Sequence, residues 1–98
     1  MEQLVDSVIA WADSRGIFEK ATIAGQYRKH VEEVGELGAA LIDQDLDEVT
    51  DAIGDVLVTL IIQAEMMGLS VEGCLAQALS VIQDRNGTMV DGVFVKEA

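Results

Sequence analysis

At 98 residues with a formal net charge of −12, the chain has the length of one domain and is strongly acidic. Its six Lys and Arg residues cannot neutralise a phosphate backbone, which argues against nucleic acid and anionic membrane surfaces as partners. Half of the residues are hydrophobic, yet aromatics make up only 4% and proline is absent, so the composition favours packed helices over a β-sandwich.

The N-terminal stretch MEQLVDSVIAWADS is amphipathic and acidic, unlike a signal peptide. Apolar spacing predicts a first helix from about Glu2 to Ser14, with Leu4, Val5, Val8, Ile9 and Ala12 on one face and Trp11 beside it. Arg15-Gly16 ends it, and a connection over Ile17 to Thr22 leads to a second helix from about Ile23 to Ile42. The apolar stripe of that helix is Tyr27, Val31, Val34, Gly38, Leu41 and Ile42. At 100° per residue, Lys29, Glu33 and Glu36 fall on the opposite side. Glu32, Glu33 and Glu36 crowd like charges together, and such charges three or four residues apart cost roughly 0.2–0.5 kcal/mol per pair. Taken alone, this set is an ordinary solvated face.

Asp43-Gln44-Asp45 is a turn, and Asp45 followed by Glu48 resembles a capping box for a third helix. That helix is predicted to reach about Met67, with Gly68 as its C′ residue. Glu48, Asp51 and Asp55 recur at i, i+3, i+7, and their stripe continues into Val58 and Ile62. A solvated face stays polar, whereas this one turns aliphatic within a turn, placing Asp51 and Asp55 at the mouth of a buried region. From Val56 onward the helix is apolar nearly all round, as expected of burial on several sides. The run VLVTLII falls well short of the roughly 20 residues of a membrane span, so a soluble protein is expected.

Ser70 is placed to cap a fourth helix that reaches about Arg85 and closes at Asn86-Gly87. Cys74 falls in its apolar pattern with Val71, Leu75, Ala78 and Leu79, and a core position is expected. A single cysteine excludes an intrachain disulfide and fits a reducing, cytoplasmic setting. In the tail TMVDGVFVKEA, Asp91-Gly92 is a hairpin signal, although two short strands alone are marginal. The tail, residues 87–98, is therefore expected to be extended and packed on the helices or on a neighbouring subunit. No repeat or linker divides the chain, so residues 1–98 are predicted to form a single domain.

Two acidic stripes at helical spacing suit an all-oxygen site for Mg²⁺ or Mn²⁺ that bridges to phosphate. His30, the only histidine, lies at the border of an apolar stripe, and zinc chemistry is disfavoured. Gly35, Gly38 and Gly54 cost helix propensity, and the expected return is close approach of the two acidic helices. Trp11, Phe18 and Tyr27 are candidates to stack a base, with core packing the weightier role for each.

The segments KHVEEVGELGAAL and DEVTDAIGDVLVTL, with W…RG before them and R.G.M..GVFVK after, resemble the MazG-like all-α nucleotide pyrophosphohydrolases, in particular the small phage and bacterial members. The resemblance covers nearly the whole chain. It implies a four-helix bundle with a short extended tail, assembled as a homodimer or homotetramer. It also implies a metal-dependent pyrophosphohydrolase that converts a (d)NTP to the monophosphate and pyrophosphate. By position, Glu33 and Glu36 form the E-x-x-E pair, as metal ligands and as candidates for orienting or deprotonating the attacking water, and Asp55 is the last ligand. Ala52 stands where the family has a glutamate. Asp51 is the expected substitute ligand, with Glu48 and Glu32 as outer ligands. Lys29, Arg85 and Asn86 are candidates to contact phosphate or sugar. Two competing readings follow from the same residues. One is a catalytically weakened helical oligomer that binds nucleotide or protein, and the other is a structural acidic protein with its acids spread over exposed faces.

Overall fold

The computed structural model describes residues 1–97. It is helical apart from a C-terminal strand pair, in the order α1 (Glu2–Ser14), α2 (Ile17–Lys20), α3 (Ile23–Asp43), α4 (Leu46–Met66), α5 (Val71–Ile82), β1 (Gly87–Val90) and β2 (Val93–Lys96). The four predicted helices are α1, α3, α4 and α5. The connection over Ile17 to Thr22 is helical as well. Gly16, at φ 75°, reverses the chain, and its carbonyl and that of Ile17 accept from the N–H groups of Lys20 and Ala21.

Helix ends follow the capping chemistry of the sequence. The Thr22 hydroxyl accepts from Gly25 N–H at 3.0 Å, and the Ser70 hydroxyl accepts from Gly73 N–H at 2.9 Å. Asp45 Oδ1 accepts from the N–H groups of Asp47 and Glu48 at 3.1 and 3.2 Å. Only half of the capping box forms, because Asp45 N–H donates to the Ala40 carbonyl instead of to Glu48. Gly68, at φ 72°, closes α4, with Leu69 N–H donating to the Ala64 carbonyl. The last residues of the predicted fourth helix, 83–85, leave the helix as a turn in which Arg85 N–H donates to the Ile82 carbonyl.

α3 and α4 form a helical hairpin, and α1 packs on α4. The buried set is small: Val5, Ala12, Ala40, Ala52, Ile61 and Ile62, together with Glu33 and Thr59. A polar ladder ties α3 to α4 inside it. Thr59 Oγ1 donates to the Val56 carbonyl at 2.7 Å, so it accepts from His30 at 2.8 Å, which places the proton of the neutral ring on Nδ1.

Several packing expectations are overturned. α3 turns its charged side inward: Glu33 is 7% exposed while Val31, Leu41 and Ile42 lie open. With only α4 substantially against it, α3 can bury one face, and Glu33 and Ala40 lie on that face. Nothing lies within 4 Å of where a Cβ would stand on Gly35, Gly38 or Gly54, so these glycines do not produce the helix approach. The buried Ala40 and Ala52 do. The apolar second half of α4 is buried on two sides as expected, at Thr59, which meets His30 of α3, and at Ile61, about 200° round the helix beside Val5 and Ile9 of α1, but Ile53, Leu57 and Leu60 stay open. Cys74 is exposed, because nothing covers α5, and Trp11 and Tyr27 are half-exposed rather than core.

β1 and β2 pair antiparallel with Val90 opposite Val93 and Gly87 opposite Lys96. Asp91 and Gly92 both have positive φ, 50° and 81°, as a two-residue hairpin of this hand requires. A Cβ on Gly87 would collide with the Val95 carbonyl and the Phe94 ring. The strands contact chiefly each other, so in the single chain the tail is a projecting hairpin rather than a segment laid on the helices. The molecule is accordingly open. Its radius of gyration is 15.9 Å, against about 13 Å for a compact domain of this length.

Candidate metal centre

α3 presents Glu33 and Glu36 one turn apart, and α4 presents Asp55 opposite them. One carboxylate oxygen from each lies within 4.8 Å of the others. The Asp45 cap and the His30–Thr59 bond fix the register that makes this meeting. Thr59 sits one turn beyond Asp55, and His30 one turn before Glu33.

Lys29 Nζ pairs with Glu33 Oε1 at 3.1 Å, while Glu33 Oε2 is buried with no hydrogen-bond partner. The hydrogen bond and charge of Glu33 hold the Lys29 ammonium above its ordinary pKa. Glu36 is exposed, and the charge of Glu33 beside it pushes its carboxyl above the ordinary glutamate value. These are the features of a carboxylate set short of positive charge. Three carboxylates against one ammonium leave about two negative charges, and every donor atom is oxygen. An orphaned buried carboxylate oxygen in such a set fits a hard divalent cation and not zinc.

A groove of about 430 Å³ opens beside the cluster, lined by Glu36, Ala39, Ala40, Glu48, Asp51, Ala52 and Asp55. Asp51 and Glu48 therefore face the space next to the three carboxylates without joining the tight group. Ala52 is buried and packs at the groove floor. Glu32 is exposed and lies outside both the cluster and the groove lining, although its charge reaches Lys29. Arg85 and Asn86 are not brought to the cluster. They line a separate pocket of about 490 Å³ with Val81, Lys96 and Glu97 at the foot of the hairpin. Lys96 was not singled out from sequence. Its pairing with Gly87 in the hairpin register is what seats it beside Arg85 and Asn86.

A family model described as phosphoribosyl-ATP pyrophosphohydrolase matches residues 7–80, a span that holds all of α3 and α4 and stops inside α5. Among curated proteins, the chain is similar to the "uncharacterized 18.2 kDa protein in rep-hol intergenic region" of Haemophilus phage HP1. The identity is 34% over 65 residues, covering 66% of this chain and 40% of the relative. The chain thus spans about two fifths of that relative's length. No solved structure matches.

Proposed function

The chain belongs to the phosphoribosyl-ATP pyrophosphohydrolase family, within the MazG-like all-α superfamily, and from that premise we propose that it hydrolyses nucleoside or deoxynucleoside triphosphates to the monophosphate and pyrophosphate with a divalent metal. The observation that carries the metal dependence is the Glu33, Glu36 and Asp55 cluster with its unpartnered Glu33 oxygen. These three would hold Mg²⁺ or Mn²⁺, with Asp51 supplying a further carboxylate from the groove wall and Glu48 as an outer group, whereas Glu32 lies outside the groove. The bound ion would neutralise the phosphate chain and acidify a water.

The chain's own residues account for the rest. Glu33 is buried and tied to Lys29, which restricts it to a holding role. Glu36 is exposed at the groove, where its carboxylate can reach a water beside the bound nucleotide, so it is the candidate to orient that water or take its proton. That water adds at the α-phosphorus and the α–β anhydride bond breaks, giving monophosphate and pyrophosphate. Lys29 supplies positive charge beside the cluster, whereas Arg85 and Asn86, in their separate pocket, are not placed to contact the phosphates there.

A homodimer or homotetramer is part of this reading. A compact protein of this mass exposes about 5,400 Å², whereas this chain exposes 7447 Å². The excess, about 2,000 Å² per chain, matches what obligate interfaces bury.

The test is pyrophosphate release from the pure protein with Mg²⁺ and each NTP, each dNTP and phosphoribosyl-ATP. Turnover with at least one nucleotide, abolished in Glu36→Ala and Asp55→Ala, is expected. Full turnover by either variant overturns the site. Ala52, which removes a carboxylate that the resembled family has, favours one second reading, a weakened nucleotide-binding module. Nucleotide binding by calorimetry without pyrophosphate from any substrate selects it.

A further inference from the structure

Lys29 and Glu33 form the one ion pair among the described residues, and Glu33 is the one buried carboxylate among them. Of 18 acidic side chains, the one drawn out of water is the one that meets a lysine. We propose that Lys29 is an exchangeable counter-ion, which holds Glu33 by itself and passes from Glu33 to a phosphate oxygen of the nucleotide once a divalent cation is seated on the cluster. The proposal rests on the metal and nucleotide reading of this site and assigns the step that couples the two ligands.

The two oxygens of Glu33 carry the first argument. Oε1 accepts from Lys29 Nζ at 3.1 Å, and Oε2 is buried without a partner. A carboxylate with an ammonium on one oxygen and a divalent cation on the other holds two cations side by side, and they repel. The ammonium is the one free to go. The Lys29 side chain is 58% exposed on a flexible stem, whereas Glu33 is fixed by burial. A lysine N-terminal to its glutamate at i, i+4 is also the weaker order of such a pair, so the bond is cheap to break. At neutral pH a lysine keeps its charge, so it yields by moving.

Position carries the second. Lys29, Glu33 and Glu36 recur at i, i+4, i+7 on one stripe of α3, with Glu33 in the middle. The groove starts at Glu36 and is lined by Ala39, Ala40, Glu48, Asp51, Ala52 and Asp55, so it runs away from Lys29. A phosphate chain lying across the cluster therefore meets carboxylates at the groove end and an ammonium at the other. The charges turn the phosphates toward Lys29, about 10 Å along the helix from Glu36.

Charge exchange and a fixed tether predict opposite signs. A tether that only positions Glu33 would weaken metal binding when removed and leave phosphate affinity alone. In calorimetry on the full chain, Lys29→Met is expected to bind Mn²⁺ about tenfold tighter than wild type, because a repelling charge is gone. Titrated with inorganic pyrophosphate at saturating Mg²⁺, the same variant is expected to bind about tenfold more weakly. Lys29→Arg keeps the charge and is expected to hold Mn²⁺ as wild type does.

Lys29 is exposed and pairs with Glu33 alone, and methionine is a good helix former, so the variant is expected to fold with the helix content of wild type. Equal or weaker Mn²⁺ binding by Lys29→Met overturns the proposal, as does unchanged or absent pyrophosphate binding in both proteins. Mn²⁺ binding by Lys29→Arg as tight as by Lys29→Met overturns it too, since charge would then not be the cause. A wild-type chain that binds no Mn²⁺ overturns the metal reading itself, and the exchange with it.

Discussion

Glu36 carries the electrostatic strain of the site. Its folded-state pKa is raised by the charge of Glu33, so the native state holds a proton that the unfolded chain would release. The stability from that proton is present below the unfolded carboxylate value of about 4.3. It is lost as pH rises through the raised folded value. Glu36→Gln removes the repulsion. In chelator, the variant should melt above wild type at pH 7, and the two melting temperatures should converge near pH 4. A wild-type melting point that rises steadily across that interval relative to the variant would contradict the assignment. Loss of turnover in the same variant, on the order of 100-fold or more, would separate its chemical role from its cost to stability. Thr59→Val takes the acceptor away from His30 Nδ1–H in a buried setting and should cost about 1–3 kcal/mol in urea unfolding.

At the scale of elements, local chemistry was legible where one residue satisfies a neighbouring backbone group. Asp45, Ser70, Gly68 and Asp91-Gly92 each act within four residues of themselves, and each does what its type predicts. Gly35, Gly38 and Gly54 were misread because a glycine's purpose depends on what approaches it, and spacing does not report that. The hairpin supplies a sharper case. Gly87 is needed because the Phe94 ring and the Val95 carbonyl lie where a side chain would start. Gly87→Ala should open β1 from β2, visible as loss of cross-strand nuclear Overhauser contacts between Thr88 and Val95 while the helices persist.

At the scale of the whole molecule, the single chain leaves much of its apolar surface open. α3 shows Val31, Val34 and Leu41 to solvent, α4 shows Leu57 and Leu60, and α5 has no cover. An apolar exterior of this extent on a chain this short calls for self-association. Sedimentation should therefore give a mass above one chain, and Val31→Asp with Leu41→Asp should lower it. Persistence of the wild-type mass in that double variant would place the interface elsewhere. No single helix is long and apolar enough to cross a membrane among the described residues, in keeping with the short apolar runs.

The acidic pattern was in the sequence, but its direction was not. Periodicity fixes which residues share a face of a helix, and so it put Glu33 with Glu36, and Asp51 and Asp55 with an aliphatic continuation. It leaves open which face turns inward, because that depends on the partner helix. Here α4 meets α3 on the side of Glu33 and Ala40, so the face that looked solvated became the interior and the apolar stripe was left outside. The resemblance to pyrophosphohydrolases was likewise legible, since it rests on residue types at fixed spacing. The grouping of Glu33, Glu36 and Asp55, the standing of Asp51 just outside it, and the distance of Arg85 from all of them came from tertiary structure alone. They depend on a helix crossing and a 100° bend, set by how buried alanines and one polar ladder pack rather than by any local signal.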